Sequence, residues 1–391
     1  MGFSLKTLLS SGLRTIFGKA AGALKNPRSQ ISPLADRLLV DAIRLAELAS
    51  PVPCEEPRAA FTLERLKSFG LLPVVDDTGS ILVRLHSEQA ADEAPILLFT
   101  DLGSTRWHPT ESLARLDADN ASGAGLSDSL GTAALLSIAE AYYTGAFRIP
   151  RDILLLFTAK SLDDPNNSFD PILQSSENRP FAAIGVRGLS LDRVIHSVGS
   201  YRLRVIVSGD TIQTSNKVTE TLIDTARTIL SIAWDSEGKT KVFIRRIEAA
   251  TVYGLTPEEG LLEIEIESTE ANLLELAMNT VKATAGKIGE AAGLRSETAL
   301  LSFIPAGKPE KSLELFEIVR RHAREQHVKL REENGADPSS FFTSADIPAL
   351  SLGIALGREG MDRDIINIDS LEKGRKILER LIVEAGGRSA F

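Results

Sequence analysis

Residues 201–304 contain six segments: YRLRVIVSG (201–209), NKVTETLIDTARTILSIA (216–233), TKVFIRRIEAA (240–250), GLLEIEIES (260–268), ANLLELAMNTVKATAGKIG (271–289) and ETALLSFI (297–304). Four are short, apolar or alternating, as strands are. The two longer ones carry apolar residues every three or four positions, as helices do. The order is strand, helix, strand, strand, helix, strand. That is the split βαβ, or ferredoxin-like, arrangement, a four-stranded sheet with two helices on one face, and about a hundred residues is a natural length for it.

Working outward, the chain on both sides has α/β character. ADRLLVDAIRLAELA (35–49) has helical spacing and is stopped by Pro51 and Pro53. Ile81–Leu85, PILLFT (95–100), ILLLFTA (153–159), FAAIGVRG (181–188) and RVIHSV (193–198) read as strands. GAGLSDSLGTAALLSIAEAYYTG (123–145) reads as a loop with a Ser/Asp cap leading into a buried helix. After the insert come a charged helix from Lys311 to about Glu333, a strand at ALSLGI (349–354) and a closing helix at 370–385. The expected organisation is an α/β main domain over 34–199 and 308–391, a mixed sheet flanked by helices. A βαββαβ unit over 200–307 is inserted into it, and a basic segment at 1–33 precedes both.

At 391 residues the chain is long enough for two cores. Its 44 basic and 53 acidic side chains give a net charge of −9, which argues against a nucleic-acid partner. The single cysteine, Cys54, excludes a zinc–thiolate cluster and fits a reducing, cytoplasmic setting. Lys6, Arg14, Lys19, Lys25 and Arg28 interleave with apolar residues and with no acidic one, a basic amphipathic pattern too broken by charge to span a bilayer. Three readings of residues 1–30 stay open: an extra packed helix, a peripheral membrane or partner contact, and a targeting segment.

Five local strings in order carry a family resemblance over roughly residues 34–385. They are PILLFTDLG (95–103), GLSDSLGTAALL (125–136), ILLLFTAKS (153–161), GADPSSFFTSADIPALSLGI (335–354) and INIDSLEKG (366–374). With the insert between the third and fourth, the chain resembles the M20 di-zinc peptidases and deacylases, in particular the peptidase T-like branch. The resemblance implies an M20-like α/β main domain and a ferredoxin-like insert that acts as a lid and joins two copies into a homodimer. It also implies a cleft built around two zinc ions, which need nitrogen and carboxylate ligands, a bridging carboxylate and a base for the metal-bound water.

Carried over residue by residue, those roles are mostly vacant. The His and Asp of the family's HxD string fall on Asp101 and Gly103, and only Asp128 keeps a ligand position, the bridging one. The base glutamate falls on Ser161 and its neighbouring ligand on Leu162. The next acidic ligand falls on Arg187, and GREGMDRD (357–364) offers nothing for the C-terminal histidine. The insert's substrate-binding histidine falls on Gln213, and the arginine of its diR string on Glu267. The resemblance therefore implies a degenerate member with no catalytic residue and no cofactor, which binds a peptide, a small molecule or a protein partner. The alternative is an active zinc-dependent peptidase or amidohydrolase with an aberrant metal site.

A buried carboxylate without its metal needs a counter-charge, so Asp128 and Arg187 are expected to pair. Other residues carry weaker readings. Asp101, Asp128, Asp163 and Asp164 could hold an oxygen-liganded Mg²⁺ or Ca²⁺, although loop aspartates usually form turns. His108 and Glu111 have metal-ligand spacing but read as an ordinary loop, and His196 reads as a packed strand residue. His322 and His327 read as solvated, and FTAKSLDD around Ser161 is no nucleophile elbow.

Overall fold

The computed structural model describes residues 32–89, 93–160, 169–209, 212–249 and 256–388, without the side chains of 212–216. The basic segment expected at 1–33 falls almost wholly outside the described residues, as do Ser161, Leu162, Asp163 and Asp164.

Helices α1 (Pro33–Glu47) and α2 (Glu56–Ser68) precede strands β1 (Val74–Val75), β2 (Ile81–Leu85) and β3 (Ile96–Asp101). Two short strands, β4 (Arg115–Leu116) and β5 (Asn120–Gly123), lead into α3 (Leu126–Tyr143), β6 (Ile153–Thr158), the short helix α4 (Asp170–Gln174) and β7 (Ala182–Leu189). The middle of the chain is β8 (Arg193–Ser208), α5 (Ile212–Ser231), β9 (Thr240–Glu248), β10 (Glu259–Ser268), α6 (Ala271–Ala292) and β11 (Arg295–Ile304). A 3₁₀ turn at Pro309–Ser312 is followed by α7 (Leu313–Glu325), β12 (Arg331–Ala336), α8 (Ser339–Ser344), β13 (Ala349–Ala355), β14 (Gly357–Arg358), β15 (Asp364–Asn367) and α9 (Ile368–Gly386).

The main sheet has the order β1-β2-β6-β3-β7-β13. Strands β6, β3, β7 and β13 run parallel, and β2 pairs antiparallel with β6, so the sheet is mixed, as read from the sequence. All six residues of β6 and all seven of β13 are buried, the continuous apolar pattern of strands covered on both faces. One large apolar cluster joins α1, α3, α7 and α9 to one face, and a smaller one built on Phe99, Phe169 and Phe342 covers the other. Helix α1 starts as its sequence demands: Ser32 Oγ accepts the Ala35 amide, Pro33 follows, and Leu38, Leu39, Ala42 and Leu45 point inward.

The βαββαβ segment forms an antiparallel sheet in the order β11-β8-β10-β9, with α5 and α6 packed on one face around Leu203, Val205, Leu262, Ile264 and Val281. That strand order is the ferredoxin-like one. On the open face, Glu265 lies between Arg202 and Arg245 (3.1 and 2.6 Å), and Glu263 accepts from Arg204 (3.0 Å).

Three local expectations need correction. RVIHSV and YRLRVIVSG are one 16-residue strand, β8, which passes through Gly199 without a break. Its first half pairs in parallel with β12 and its second half with β10 and β11, so the change of character at Gly199 is a change of partners. The charged helix stops at Glu325, because His327 takes φ +56° and the Val328 amide turns back to the Ala323 carbonyl. REENGA is therefore not helix but strand β12, whose charges look outward while its backbone borrows a partner from β8. Finally, α3 has no Ser/Asp cap: its N-cap is Gly125, at φ +71°, a conformation that costs a side-chain-bearing residue.

Candidate functional site

The parallel strands β3, β6, β7 and β13 deliver their carboxyl ends to one side of the main sheet, where open α/β sheets place their ligands. Asp101 is the last residue of β3. It is exposed, and its Oδ1 accepts the Thr158 hydroxyl of the paired strand at 2.6 Å. Asp128 lies in the first turn of α3, where the helix dipole favours a carboxylate. Its Oδ2 accepts from Ser104 Oγ (3.0 Å), the Thr105 amide (2.9 Å) and Thr105 Oγ1 (3.2 Å). Arg187 projects near the end of β7. Asp101, Gly103, Asp128 and Arg187 line a single cleft of about 200 Å³, with Ser127, Arg193, Ser351 and Glu359 among its other walls. The structure thus brings these four positions together. Gln213 lies in the first turn of α5, with nothing described of its side chain.

The tight seat of α3 explains how Asp128 reaches this cleft. A Cβ on Gly188 would fall 1.9 Å from the Ser127 carbonyl, so glycine in β7 lets the helix start lie directly on the strand end. Side-chain-free Gly103 does the same on the other wall, where a Cβ would sit 2.5 Å from Val52 Cγ2.

The expected Asp128–Arg187 ion pair does not form. Arg187 Nη2 instead lies 2.9 Å from Oδ2 of Asp337, a fully buried residue whose Oδ1 accepts from Ser351 Oγ (2.7 Å) and the Ser339 amide (2.8 Å). The Asx turn at GADPSS fixes Asp337, and its carboxylate holds the guanidinium by charge, since Oδ2 takes no hydrogen bond among the described residues. The charge that acts on Asp128 from below is Arg58 of α2, 1% exposed. Its five N–H groups go to the carbonyls of Leu45, Leu102, Gly103 and Gly125 and to Ser129 Oγ, at 2.8–3.4 Å. Burial pulls this guanidinium down to about 10, and the Asp128 charge opposes that pull. Arg58 thus ties together the very loops that carry Gly103 and Asp128. A string such as EEPRAAF gives no sign of this, since arginine in an amphipathic helix normally faces water.

Sequence reasoning also missed the buried or engaged carboxylates Asp364, Glu359 and Glu55. Asp364, 1% exposed, accepts the Ser127 amide at the start of α3 (3.0 Å) and lies 3.2 Å from Arg106. Burial, ahead of the opposing Ser127 and Arg106 contacts, holds it above the usual carboxylate range. Glu359 reaches Ser127 Oγ and Arg106 (both 3.2 Å), so the segment expected to lack a histidine ligand brings an acid instead. Glu55 accepts the Lys160 amide at 3.0 Å, leaves Oε2 buried without a hydrogen bond among the described residues, and is raised by burial. Glu267 is raised too, by burial first and then by Glu265.

The histidines lie elsewhere. His108 Nδ1 lies 3.3 Å from the Thr110 and Glu111 amides, and the Glu111 carboxylate pairs with Arg363, so HxxE here is a turn. His196 contacts Glu332 at 2.9 Å and packs on Phe316. His322 is not solvated as expected: it is 6% exposed and held between Glu325 and Glu384.

Among the described residues no three His, Cys, Asp or Glu side chains come together as a metal-binding group. Two zinc ions would need nitrogen ligands and a bridging carboxylate. The described walls offer carboxylate, hydroxyl and carbonyl oxygens but no imidazole, and the guanidiniums of Arg187 and Arg193 line the same cleft. That donor set does not fit a di-zinc centre, and no step is derived through one.

No protein-family model matches this chain, and no curated protein matches it by sequence. Solved structures do match it by fold. The di-peptidase Dug1p from Saccharomyces cerevisiae superposes with a TM-score of 0.68 at 12% identity, over 91% of this chain and 96% of that one. A tripeptidase from Staphylococcus aureus gives 0.66 at 13% identity, over 90% and 99%. Bacillus subtilis YXEP, described as a dinuclear metal-binding peptidase from the M20 family, gives 0.59 at 12% identity, over 90% and 98%. At such identity the likeness shows the fold, which is M20-like.

Proposed function

We propose that this chain is a non-catalytic protein on an M20-like peptidase fold, whose cleft binds a ligand instead of hydrolysing one. The observation that carries the reading is electrostatic. The surviving ligand position, Asp128, has a buried guanidinium beneath it and the guanidinium of Arg187 in the same cleft, and fixed cations there oppose Zn²⁺. A peptide or small molecule is the ligand class the fold's relatives favour. The edge strands β9 and β11 of the βαββαβ unit are free to support a homodimer. The single cysteine, exposed Cys54, is in keeping with a cytoplasmic setting, and residues 1–30 remain the segment for a peripheral membrane or partner contact. Among the described residues, no helix is long and apolar enough to cross a membrane.

A second reading, an active metal-dependent hydrolase with an aberrant site, draws on the carboxylates Asp101, Asp128 and Glu359 that share the cleft. A calorimetric zinc titration of chelator-treated protein separates the two, run beside a cleavage assay on di- and tripeptides. The proposal expects no saturable zinc uptake and no cleavage. Stoichiometric uptake that Asp128→Ala abolishes would establish the second reading.

A further inference from the structure

We infer that Arg187 is the anion-recognition group of this cleft, taking the carboxylate of a small ligand whose amine turns to Asp101. The inference rests on the proposal that the cleft binds without hydrolysing, and it names the chemistry of what is bound.

The argument starts from unused hydrogen-bonding capacity. Arg187 is anchored through Nη2 alone, and its Nε and Nη1 have no partner among the described residues. Its side chain is 43% exposed at the cleft, whereas its anchor Asp337 is fully buried and itself held by two donors. A guanidinium fixed at one edge and open at the other is prepared to donate to a planar carboxylate with little ordering cost. Arg193 lines the same cleft and is held only by an exposed contact to Glu333 at 3.2 Å. It adds positive charge at the same wall.

The carboxylates of the same cleft restrict the anion. Asp101, Asp128 and Glu359 are all carboxylates on the cleft surface, and they repel a multiply charged ligand such as phosphate. Asp128 accepts three hydrogen bonds from Ser104 and Thr105, all at Oδ2, and Glu359 is engaged at both oxygens by Ser127 and Arg106. Asp101 combines the two features: it is exposed, unlike the half-buried Asp128, and its Oδ2 takes no bond among the described residues, whereas both oxygens of Glu359 are engaged. Arg187 and Asp101 therefore face, with hydrogen-bonding capacity to spare, the same cleft of about 200 Å³, a volume below the roughly 300–1,000 Å³ of sites for drug-sized molecules. A compact zwitterion satisfies both groups at once.

The test is isothermal calorimetry on chelator-treated full-length protein with glycine, β-alanine and 4-aminobutyrate, which space the two charges differently, and with acetate and propylamine as single-charge controls. At least one amino acid is expected to bind more tightly than either control by on the order of tenfold. Asp101→Asn should reduce that ligand to the level of acetate. Arg187→Ala should weaken it by on the order of tenfold or more, with Arg187→Lys between. Because Arg187→Ala leaves Asp337 buried and unpaired, Arg187→Ala with Asp337→Asn is measured beside it, each variant checked by thermal melting. Wild-type affinity in the folded double variant, or no binding by any of the three amino acids, overturns the inference. Zinc uptake by the same preparation would instead overturn the non-catalytic proposal, so the two failures are distinguishable.

Discussion

Arg58 and Arg187 serve the same cleft and differ in almost every physical respect. Arg58 is buried, spends all five donors on backbone carbonyls and one hydroxyl, and ties α2 to the loops at Gly103 and Gly125. Arg187 is half-exposed, anchored through one nitrogen, and open toward the cleft. The contrast separates a charge that holds the site together from a charge the site can use. A metal ion in such a place does both jobs, as cross-link and as electrophile; the proposed function assigns the two jobs to different residues on different elements.

The largest effect should come from Arg58→Met. It takes a donor from four carbonyls, of which those of Leu45 and Gly125 keep one from the Leu48 amide and Ser129 Oγ, and leaves Asp128 without its underlying cation, so about 3–5 kcal/mol of stability should be lost in urea denaturation. Arg187→Ala should cost less, about 1–2 kcal/mol, because water can reach the arginine side of the pair, and Asp337→Asn in that background should return part of the loss. Equal losses for the two arginines would break the comparison. Gly188→Ala, which drives a Cβ into the Ser127 carbonyl, should cost about 1–3 kcal/mol or more, and should also disturb whatever the cleft binds, since it displaces the start of α3. Far from the cleft, Arg204→Ala removes one rung of the exposed ladder on the βαββαβ sheet and should change stability by less than about 1 kcal/mol.

Glu55 sharpens the comparison through pH. Its carboxyl is raised above the ordinary 4.5 chiefly by burial. The proton is bound more tightly in the folded chain, so its contribution is complete below pH 4.5 and is lost as pH rises through the raised folded value. Glu55→Gln mimics the protonated acid and keeps an acceptor for the Lys160 amide. Its stability relative to wild type should therefore increase with pH and converge on wild type in acid. A constant difference across the range would remove Glu55 from this account.

Most of the fold was legible because it rests on periodicity. Alternation in GLLEIEIES, continuous apolar runs in ILLLFT and ALSLGI, and the spacing in α1 each force one burial pattern, although the order of strands in the main sheet does not follow from them. Asp101, Gly103, Asp128 and Arg187 were named together only through the family resemblance, and the structure does bring them to one cleft. Their partners were not legible. Asp337 lies 150 residues from Arg187 in the chain, and Arg58 lies in a helix whose charged residues look like a solvated face; only tertiary packing brings either to the cleft. REENGA was misread for a related reason, because a charged edge segment becomes a strand only when β8 offers it a ladder.

The most direct test is the zinc content of the purified, undepleted protein by elemental mass spectrometry, with Asp128→Ala measured beside it. The account predicts zinc well below one per chain and no difference between the two proteins. About two zinc per chain, lost in Asp128→Ala, would match a two-metal site and contradict the claim that arginines have taken the metal's place.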